Sequence, residues 1–270
     1  MTSHFYREFF AALPLPSEYN PTINYVSAPC GWGKTHAACL YISRNGHEIN
    51  SVYAAPSIAL LRQTREMLLN FGIHPNNVTL ITQDTHPNHV KPAIVQYLTR
   101  ATAEGNVLLI TQQAYLDLPY FHHRERWLAF IDELPQVDEF RTYKVPRYYH
   151  LIAEHVEAET WVGETMAILC PKDVGQLRRL LEQPRDDVFE HFRPLFKDLV
   201  SPNHQVFADR DTLDKMAGKG FSKKDETQNR LYFLTMLNAT PFGNSILLGA
   251  NVEQSLLYHW LRRFHGKALG

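Results

Sequence analysis

A short glycine-rich segment, residues 28–35 (APCGWGKT), carries the residue types best suited to binding phosphate. It lies between an apolar run that predicts a strand, residues 23–28, and a segment that predicts a helix. Gly31 and Gly33 allow the backbone to curl so that several N–H groups point inward, and the positive end of the helix faces the same place. A chance glycine turn before a helix is the alternative, which the flanking elements disfavour.

Lys34 and Thr35 extend this prediction to a nucleoside triphosphate with Mg²⁺. Lys34 would contact the β and γ phosphates, and Thr35 would offer its hydroxyl to the metal ion. The residues expected to line the site are Pro29, Cys30, Gly31, Trp32, Gly33, Lys34, Thr35 and His36.

An acidic pair, Asp132 and Glu133, follows a second apolar run in the segment FIDELP. Asp132 would hold the magnesium ion, usually through water, and Glu133 would position and deprotonate the water that attacks the γ phosphate. The alternative is a pair of solvated acids that cap a helix, which the preceding glycine segment disfavours. The predicted catalytic residues are therefore Lys34, Asp132 and Glu133.

Strands and helices alternate along much of the chain, and they must position these side chains. The further predicted strands are SVYAAP, VTLIT, VLLITQQAYL, WLAFIDEL, LYFLTMLNATPF and SILLGAN. The predicted helices are HAACLYISRNG, IALLRQTREMLLNFG and SLLYHWLRRFHG. This alternation predicts an α/β fold with a mostly parallel central sheet flanked by helices, and a ligand site at the carboxyl ends of the strands.

The segment 138–230 departs from this alternation and predicts an insertion, a helical subdomain, within a main domain of residues 1–137 and 231–270. Its segment RTYKVPRYYH interleaves Arg141, Lys144 and Arg147 with tyrosines, a combination suited to phosphate contact and base stacking. Its segment GKGFSKKDETQNR could be a mobile basic loop. A tyrosine-rich edge of the core and an ordinary solvated loop are the alternatives.

The composition predicts a soluble globular protein, with 44% hydrophobic and 20% charged residues. A net charge of −1 gives no overall attraction to a polyanion, so contact with nucleic acid would depend on local patches. The three cysteines form neither a disulfide framework nor a metal-binding pair, which suits the cytoplasm. The sequence has no apolar run of membrane-spanning length and no signal-peptide pattern, so we expect no membrane partner.

Taken in order, the motifs resemble those of superfamily 2 helicases and translocases. Residues 28–35 and 132–135 take that family's forms AxxGxGKT and DExx. Three more segments are similar to its motifs Ia, Ib or Ic, and III: APSIALLRQ (55–63), LITQQAYL (109–116) and LNATP (237–241). The resemblance implies a RecA-like P-loop NTPase fold that binds and hydrolyses ATP with Mg²⁺.

The resemblance also implies contacts with the backbone of a DNA or RNA strand. The implied strand contacts are Ser57, Arg62, Gln63, Thr111 and Gln112, and the residues implied to couple the ATP state to strand binding are Asn238 and Thr240. Such polar side chains at strand ends and helix starts suit phosphate contacts that position a strand without reading its sequence. A core-packing amphipathic helix at 56–63 and a simple turn at 238–241 are the alternatives.

The resemblance covers roughly residues 25–251, the first of the two motor domains of such helicases. The residues that follow are too few for a second domain, so we expect a second RecA-like domain or a partner subunit to supply an arginine finger. Arg262 and Arg263 are predicted to lie on a solvated helix face instead. The leading hypothesis is the ATP-hydrolysing domain of a helicase or translocase that needs this partner for full activity. The alternative is a nucleotide-gated module that switches affinity for a protein or nucleic acid with little turnover.

Overall fold

The computed structural model describes residues 23–101, 103–144, 149–162, 165–183, 187–220, 229–238 and 240–265, and for residues 240 and 263–265 it describes the backbone only. The chain divides into two compact units. Unit 1 comprises Met1–Gln136 and Ala239–Gly270, and unit 2 comprises Val137–Asn238.

Most elements outside residues 138–230 lie where the sequence predicts them, but the helix over Val90–Arg100 was not predicted, and Gln112–Leu116, predicted as the end of a strand, is a helix. The strands are β1 (Ile23–Ser27), β2 (Asn50–Ala55), β3 (Val78–Leu80), β4 (Val107–Thr111), β5 (Trp127–Asp132), β6 (Asp138–Lys144), β7 (Val156–Val162), β8 (Met166–Pro171), β9 (His204–Asp209), β10 (Arg230–Leu237) and β11 (Ser245–Gly249). The helices are α1 (Lys34–Asn45), α2 (Ile58–Asn70), α3 (Val90–Arg100), α4 (Gln112–Leu116), α5 (Tyr149–His155), α6 (Val174–Glu182), α7 (Asp187–Val200), α8 (Arg210–Met216) and α9 (Leu256–His265). Short 3-10 turns lie at Pro75–Asn77, Arg124–Arg126, Thr240–Phe242 and Val252–Gln254.

Unit 1 is built on a six-stranded sheet in the order β1-β11-β5-β2-β4-β3, and all of its neighbouring strands run parallel. The central strands β2 and β5 are buried along their whole length, as expected for strands covered on both faces. One core cluster joins these strands to α1 and α2 through Cys39, Ile42, Leu61, Leu68 and Phe130. The predicted α/β class with a parallel, helix-flanked sheet is confirmed.

Unit 2 is a second α/β unit, built on a five-stranded antiparallel sheet in the order β6-β10-β9-β8-β7. Helices α5, α6, α7 and α8 belong to the same unit, and α7 alone buries four apolar side chains, Phe189, Phe192, Leu195 and Phe196. The prediction of a helical insertion was wrong because β6 and β7 are largely exposed, so they lack the apolar runs by which the core strands of unit 1 are recognised.

The predicted boundary of the insertion was also wrong by one strand. Strand β10, predicted to belong to the parallel sheet, pairs antiparallel with both β6 and β9 in unit 2. Its alternating burial suits a sheet with one covered face, but alternation does not specify which strands become its neighbours.

None of the helices in the described ranges combines the length and the apolar character needed to cross a membrane.

Candidate functional site

The carboxyl edge of the parallel sheet gathers most of the residues predicted to act chemically. Parallel strands end at one edge, so the segments that follow β1, β11, β5, β2 and β4 lie along it. Strand β1 leads into the glycine segment, and β5 ends at the acidic pair. Strands β2 and β4 lead to Ser57 and Thr111, two of the predicted strand contacts.

The glycine segment forms an open loop whose backbone conformation requires glycine. Gly31 and Gly33 have φ angles of 78° and 82°, in the left-handed region that L side chains rarely adopt. Among the described atoms, none lies within 4 Å of the position that a Cβ would take at either residue. The requirement therefore comes from the backbone, and the space beside the loop stays open. Helix α1 begins directly after Gly33, which is its N-cap.

Lys34 lies against the loop that precedes it. Its Nζ donates hydrogen bonds to the carbonyl oxygens of Ala28, at 2.7 Å, and Pro29, at 3.0 Å. Both acceptors are neutral, and among the described residues no carboxylate forms an ion pair with this ammonium group. The loop thus carries a positive charge that an anion can compensate.

Asp132 holds the centre of the site. The residue is 4% exposed, and its Oδ2 accepts hydrogen bonds from Thr35 Oγ1 at 3.0 Å and from Tyr53 Oη at 2.5 Å. Thr35 and Asp132 are 97 positions apart in the chain. A hydroxyl beside a carboxylate is the hard oxygen donor set that Mg²⁺ prefers, so the residues present fit the predicted metal ion.

Glu133 has a strained backbone. Its φ is 66°, a conformation that costs a non-glycine residue about 1 kcal/mol or more and persists only where neighbouring groups hold it. Its N–H donates to the carbonyl of Leu248 in β11, at 2.8 Å. Gln112 Nε2 donates to the carbonyl oxygens of Asp132, at 2.6 Å, and Glu133, at 2.7 Å. The turn that carries the acidic pair is therefore held by the neighbouring strand β11 and by the side chain of Gln112, which follows β4, and the Glu133 side chain remains exposed.

Two protonated groups surround the Asp132 carboxylate. Burial, and secondarily the charge of Asp132, raises the pKa of the Cys39 thiol to about 12. The same two causes raise the pKa of Tyr53 well above its ordinary value. At neutral pH Tyr53 therefore remains a hydrogen-bond donor, and Cys39 is not a nucleophile.

The remaining predicted loop residues are exposed. Pro29, Cys30 and Trp32 lie on the loop surface, and 51% of Trp32 is accessible to solvent. His36 is also exposed, but its ring packs edge-on against Phe71 at the end of α2, with the ring centroids 5.1 Å apart. His36 is therefore engaged with α2.

The predicted strand contacts differ in their surroundings. Ser57 and Thr111 are N-caps whose hydroxyl oxygens accept from the backbone N–H groups of Leu60 and Ala114, and each hydroxyl still has its proton to donate. On α2, Gln63 is exposed, and Arg62 forms an exposed ion pair with Asp84 at 2.7 Å. Gln112 lies inside the turn of the acidic pair, as described above. Contact of these residues with nucleic acid stays a prediction.

The segment predicted to couple the two ligands does not follow a strand of the parallel sheet. Asn238 follows β10 in unit 2, where its N–H donates to the carbonyl of Asn203 at 2.6 Å and its Nδ2 to that of Pro202 at 3.2 Å. The backbone of Thr240 begins a 3-10 turn, and its side chain lies outside the described residues. The strand between β1 and β5 is instead β11, which leads into Ala250 and Asn251.

The basic and aromatic segment of unit 2 is described only in part. Tyr143 is buried in the core of unit 2, and Arg141 pairs with Asp198 at 3.0 Å, so these two residues take part in packing. Lys144 is exposed. Arg147, Tyr148 and residues 221–228 lie outside the described residues, as do residues 1–22 and the side chain of Arg263. Arg262 is exposed, as predicted for a solvated helix face.

Three features of the site were missed from the sequence: the hydroxyl of Tyr53, the two hydrogen bonds of Gln112, and the approach of β11. Tyr53 had a detectable signal, because it is the only tyrosine in the apolar run SVYAA and its strand leads to the predicted edge. The other two features have no local signal, since they depend on which strands become neighbours.

A scan against protein-family models and a search of curated protein sequences return no match. The resemblance to superfamily 2 therefore rests on the motifs and on the residues themselves.

Proposed function

We propose that unit 1 binds ATP with Mg²⁺ at the carboxyl edge of its sheet and hydrolyses it. One observation carries this proposal: Thr35 and Asp132, far apart in the sequence, meet at 3.0 Å beside the glycine loop. An open loop, a lysine that forms no ion pair with a described residue and a hydroxyl–carboxylate pair together match the needs of a triphosphate with its metal ion. A P-loop NTPase, RecA-like in class, is the fold that this combination supports.

In the proposed reaction a water molecule attacks the γ phosphorus, the bond to the bridging oxygen breaks, and ADP leaves. Glu133 orients the water and accepts its proton. Lys34 and the N–H groups of the loop stabilise the negative charge that develops on the phosphate oxygens. Mg²⁺, held by Thr35 and Asp132, would neutralise further phosphate charge when bound.

We further propose that hydrolysis is coupled to a nucleic-acid strand, as in superfamily 2 helicases and translocases. Ser57 and Thr111 support this proposal because both cap helices at the same sheet edge and can donate to backbone phosphates. Gln112, next to Thr111, bonds to the turn that carries Glu133, which links the proposed strand contacts to the proposed base. A second RecA-like domain or a partner subunit would supply the arginine finger.

The alternative is a nucleotide-gated binding module, and the connectivity of unit 2 favours it. Unit 2 is inserted in the chain between Glu133 and β11, and β11 accepts the hydrogen bond from the Glu133 N–H. A nucleotide that shifts this turn would act on both chain segments that connect unit 2 to unit 1. Turnover that nucleic acid stimulates strongly would favour the motor, whereas bound ATP without turnover would favour the binding module.

Alkylation of Cys30 tests nucleotide binding without relying on activity. Cys30 is exposed on the glycine loop, beside Gly31. We expect ATP with Mg²⁺, at ten times its dissociation constant, to slow iodoacetamide labelling of Cys30 about tenfold, because roughly one site in eleven is then free. The measurement is the labelling rate of each cysteine by peptide mass spectrometry.

The chain supplies its own controls for this experiment. Cys170 lies in unit 2, so its labelling rate should not respond to nucleotide. Cys39 is buried and should stay unlabelled in the native chain. A Cys30 rate that does not change at saturating ATP would contradict binding at this loop.

Gln112→Ala is expected to lower kcat for ATP hydrolysis about tenfold, the effect of losing roughly 1.4 kcal/mol of positioning energy. The variant removes both hydrogen bonds that Gln112 donates to the turn of Glu133, but it leaves the glycine loop intact, so the affinity for ATP should be retained. Steady-state hydrolysis and ATP titration separate the two effects. The control is Gln113→Ala, since Gln113 is exposed and bonds to Asp117 within the same helical turn. Equal kcat values in the two variants would rule out this role of Gln112.

A further inference from the structure

We infer that Tyr53 is a positioning residue that fixes the carboxylate of Asp132 for the divalent cation, an inference that rests on the proposed nucleotide site. Tyr53 lies in β2, the strand next to β5, and is fully buried. Its Oη lies 2.5 Å from Asp132 Oδ2. Tyr53 has no place in the motifs of the glycine loop or the acidic pair, yet it makes the shortest contact with the predicted metal ligand.

The two hydrogen bonds to Asp132 give its two carboxylate oxygens different surroundings. Both Thr35 and Tyr53 donate to Oδ2, and within the described part of the chain no hydrogen bond engages Oδ1. One oxygen is thus held by the protein, and the other remains for a metal ion or its water shell. Substitution of a partner that orients a metal ligand in this way typically costs about 10–100-fold in metal affinity.

The ring of Tyr53 is itself held in place, so its hydroxyl has a defined position. It stacks on Phe130 of β5, with centroids 6.4 Å apart and an interplanar angle of 18°. Phe130 precedes Asp132 by two positions, so both side chains project from the same face of the strand. A rotamer locked by packing is the condition for a positioning residue to act on its partner.

The matched control is Tyr41, a buried tyrosine of α1 that packs against the same Phe130 ring at 5.8 Å. Burial, and after it the charge of Glu48, raises the pKa of Tyr41, whereas the charge that acts on Tyr53 is that of Asp132. Tyr41→Phe therefore removes a hydroxyl from the same core without removing the bond to Asp132.

The test is Mn²⁺ binding to the ADP complex of the full chain, followed by electron paramagnetic resonance. We expect Tyr53→Phe to weaken Mn²⁺ affinity about 10–100-fold, as for other partners of metal ligands. The affinity for ADP without metal should not change, and Tyr41→Phe should match the wild-type chain in both measurements. In an Asp132→Asn background, Tyr53→Phe should cause no further loss, because Tyr53 acts through that carboxylate.

The outcomes separate this inference from the proposed site. If the wild-type chain holds Mn²⁺ with ADP and Tyr53→Phe holds it equally well, only the role of Tyr53 is overturned. If the wild-type complex does not hold Mn²⁺, the proposed site and the role of Tyr53 are overturned together. Should Tyr53→Phe not fold, a structure of the wild-type chain with Mn²⁺ and ADP decides instead. A Tyr53 Oη beyond about 3.2 Å from Asp132 in that complex would overturn the inference.

Discussion

Lys34→Ala is expected to weaken ATP binding at least about a hundredfold, a loss of roughly 2.7 kcal/mol. Nζ of Lys34 bonds to two carbonyl oxygens of the glycine loop. A triphosphate offers the same ammonium group charged oxygens in place of these neutral ones, so that each hydrogen bond is also an ion pair. Alanine removes the charge and all three donors. Isothermal titration with ATP and Mg²⁺ measures the change.

The control for this variant is Lys91→Ala. Lys91 is a half-exposed lysine of unit 1 that pairs with Asp117 on the surface, at 2.9 Å. The substitution removes the same charge from a residue of the same unit that lies outside the glycine loop, so the affinity for ATP should stay at the wild-type value. Thermal melts establish that both variants are folded. If Lys34→Ala retained wild-type affinity, the assignment of residues 28–35 to phosphate binding would be abandoned.

Glu133→Gln is expected to lower the rate of ATP hydrolysis by about 10²–10⁴-fold, the range that general base catalysis contributes. The amide has nearly the size and shape of the carboxylate, but it cannot accept the proton of the attacking water. Because Glu133 does not touch the glycine loop through its described hydrogen bonds, the variant should still bind ATP. Single-turnover hydrolysis and retention of ATP on the chain measure the two effects.

Glu125→Gln is the control for this second variant. Glu125 lies just before the amino end of β5, and Glu133 lies just beyond its carboxyl end. The control therefore makes the same chemical change beside the same strand, but at the opposite edge of the sheet. Normal hydrolysis by Glu133→Gln would mean that another group accepts the proton. Adding single-stranded or duplex nucleic acid to the wild-type chain then distinguishes a strand-coupled motor from a nucleotide-gated binding module.

The glycine loop could be predicted from the sequence because its determinants are local. Gly31 and Gly33 adopt left-handed backbone conformations, and Lys34 begins the helix directly after them. The acidic pair was predictable in the same way, since a buried strand of six residues ends at Asp132. Adjacent residues decide such features through backbone sterics and hydrophobic periodicity.

The neighbours of each strand could not be predicted in this way. Strand β10 is as rich in apolar residues as a core strand but belongs to the antiparallel sheet, and β11 lies between β1 and β5 although nearly the whole chain separates it from β1. Pairing depends on which apolar faces can be buried together, which is a property of the whole chain. The resemblance implies that the strand before LNATP lies in the parallel sheet. That position beside β5 is occupied by β11 instead.

By itself, the sequence determined the loop, the acidic pair and the parallel α/β class of unit 1, because each depends on residues close together in the chain. Only the tertiary structure decided how the site is supported. It placed the hydroxyl of Tyr53 on the carboxylate of Asp132, the amide of Gln112 on the backbone of the acidic turn, and β11 beside Glu133. These contacts join residues of different strands, and they form only when the order of the strands in the sheet is set.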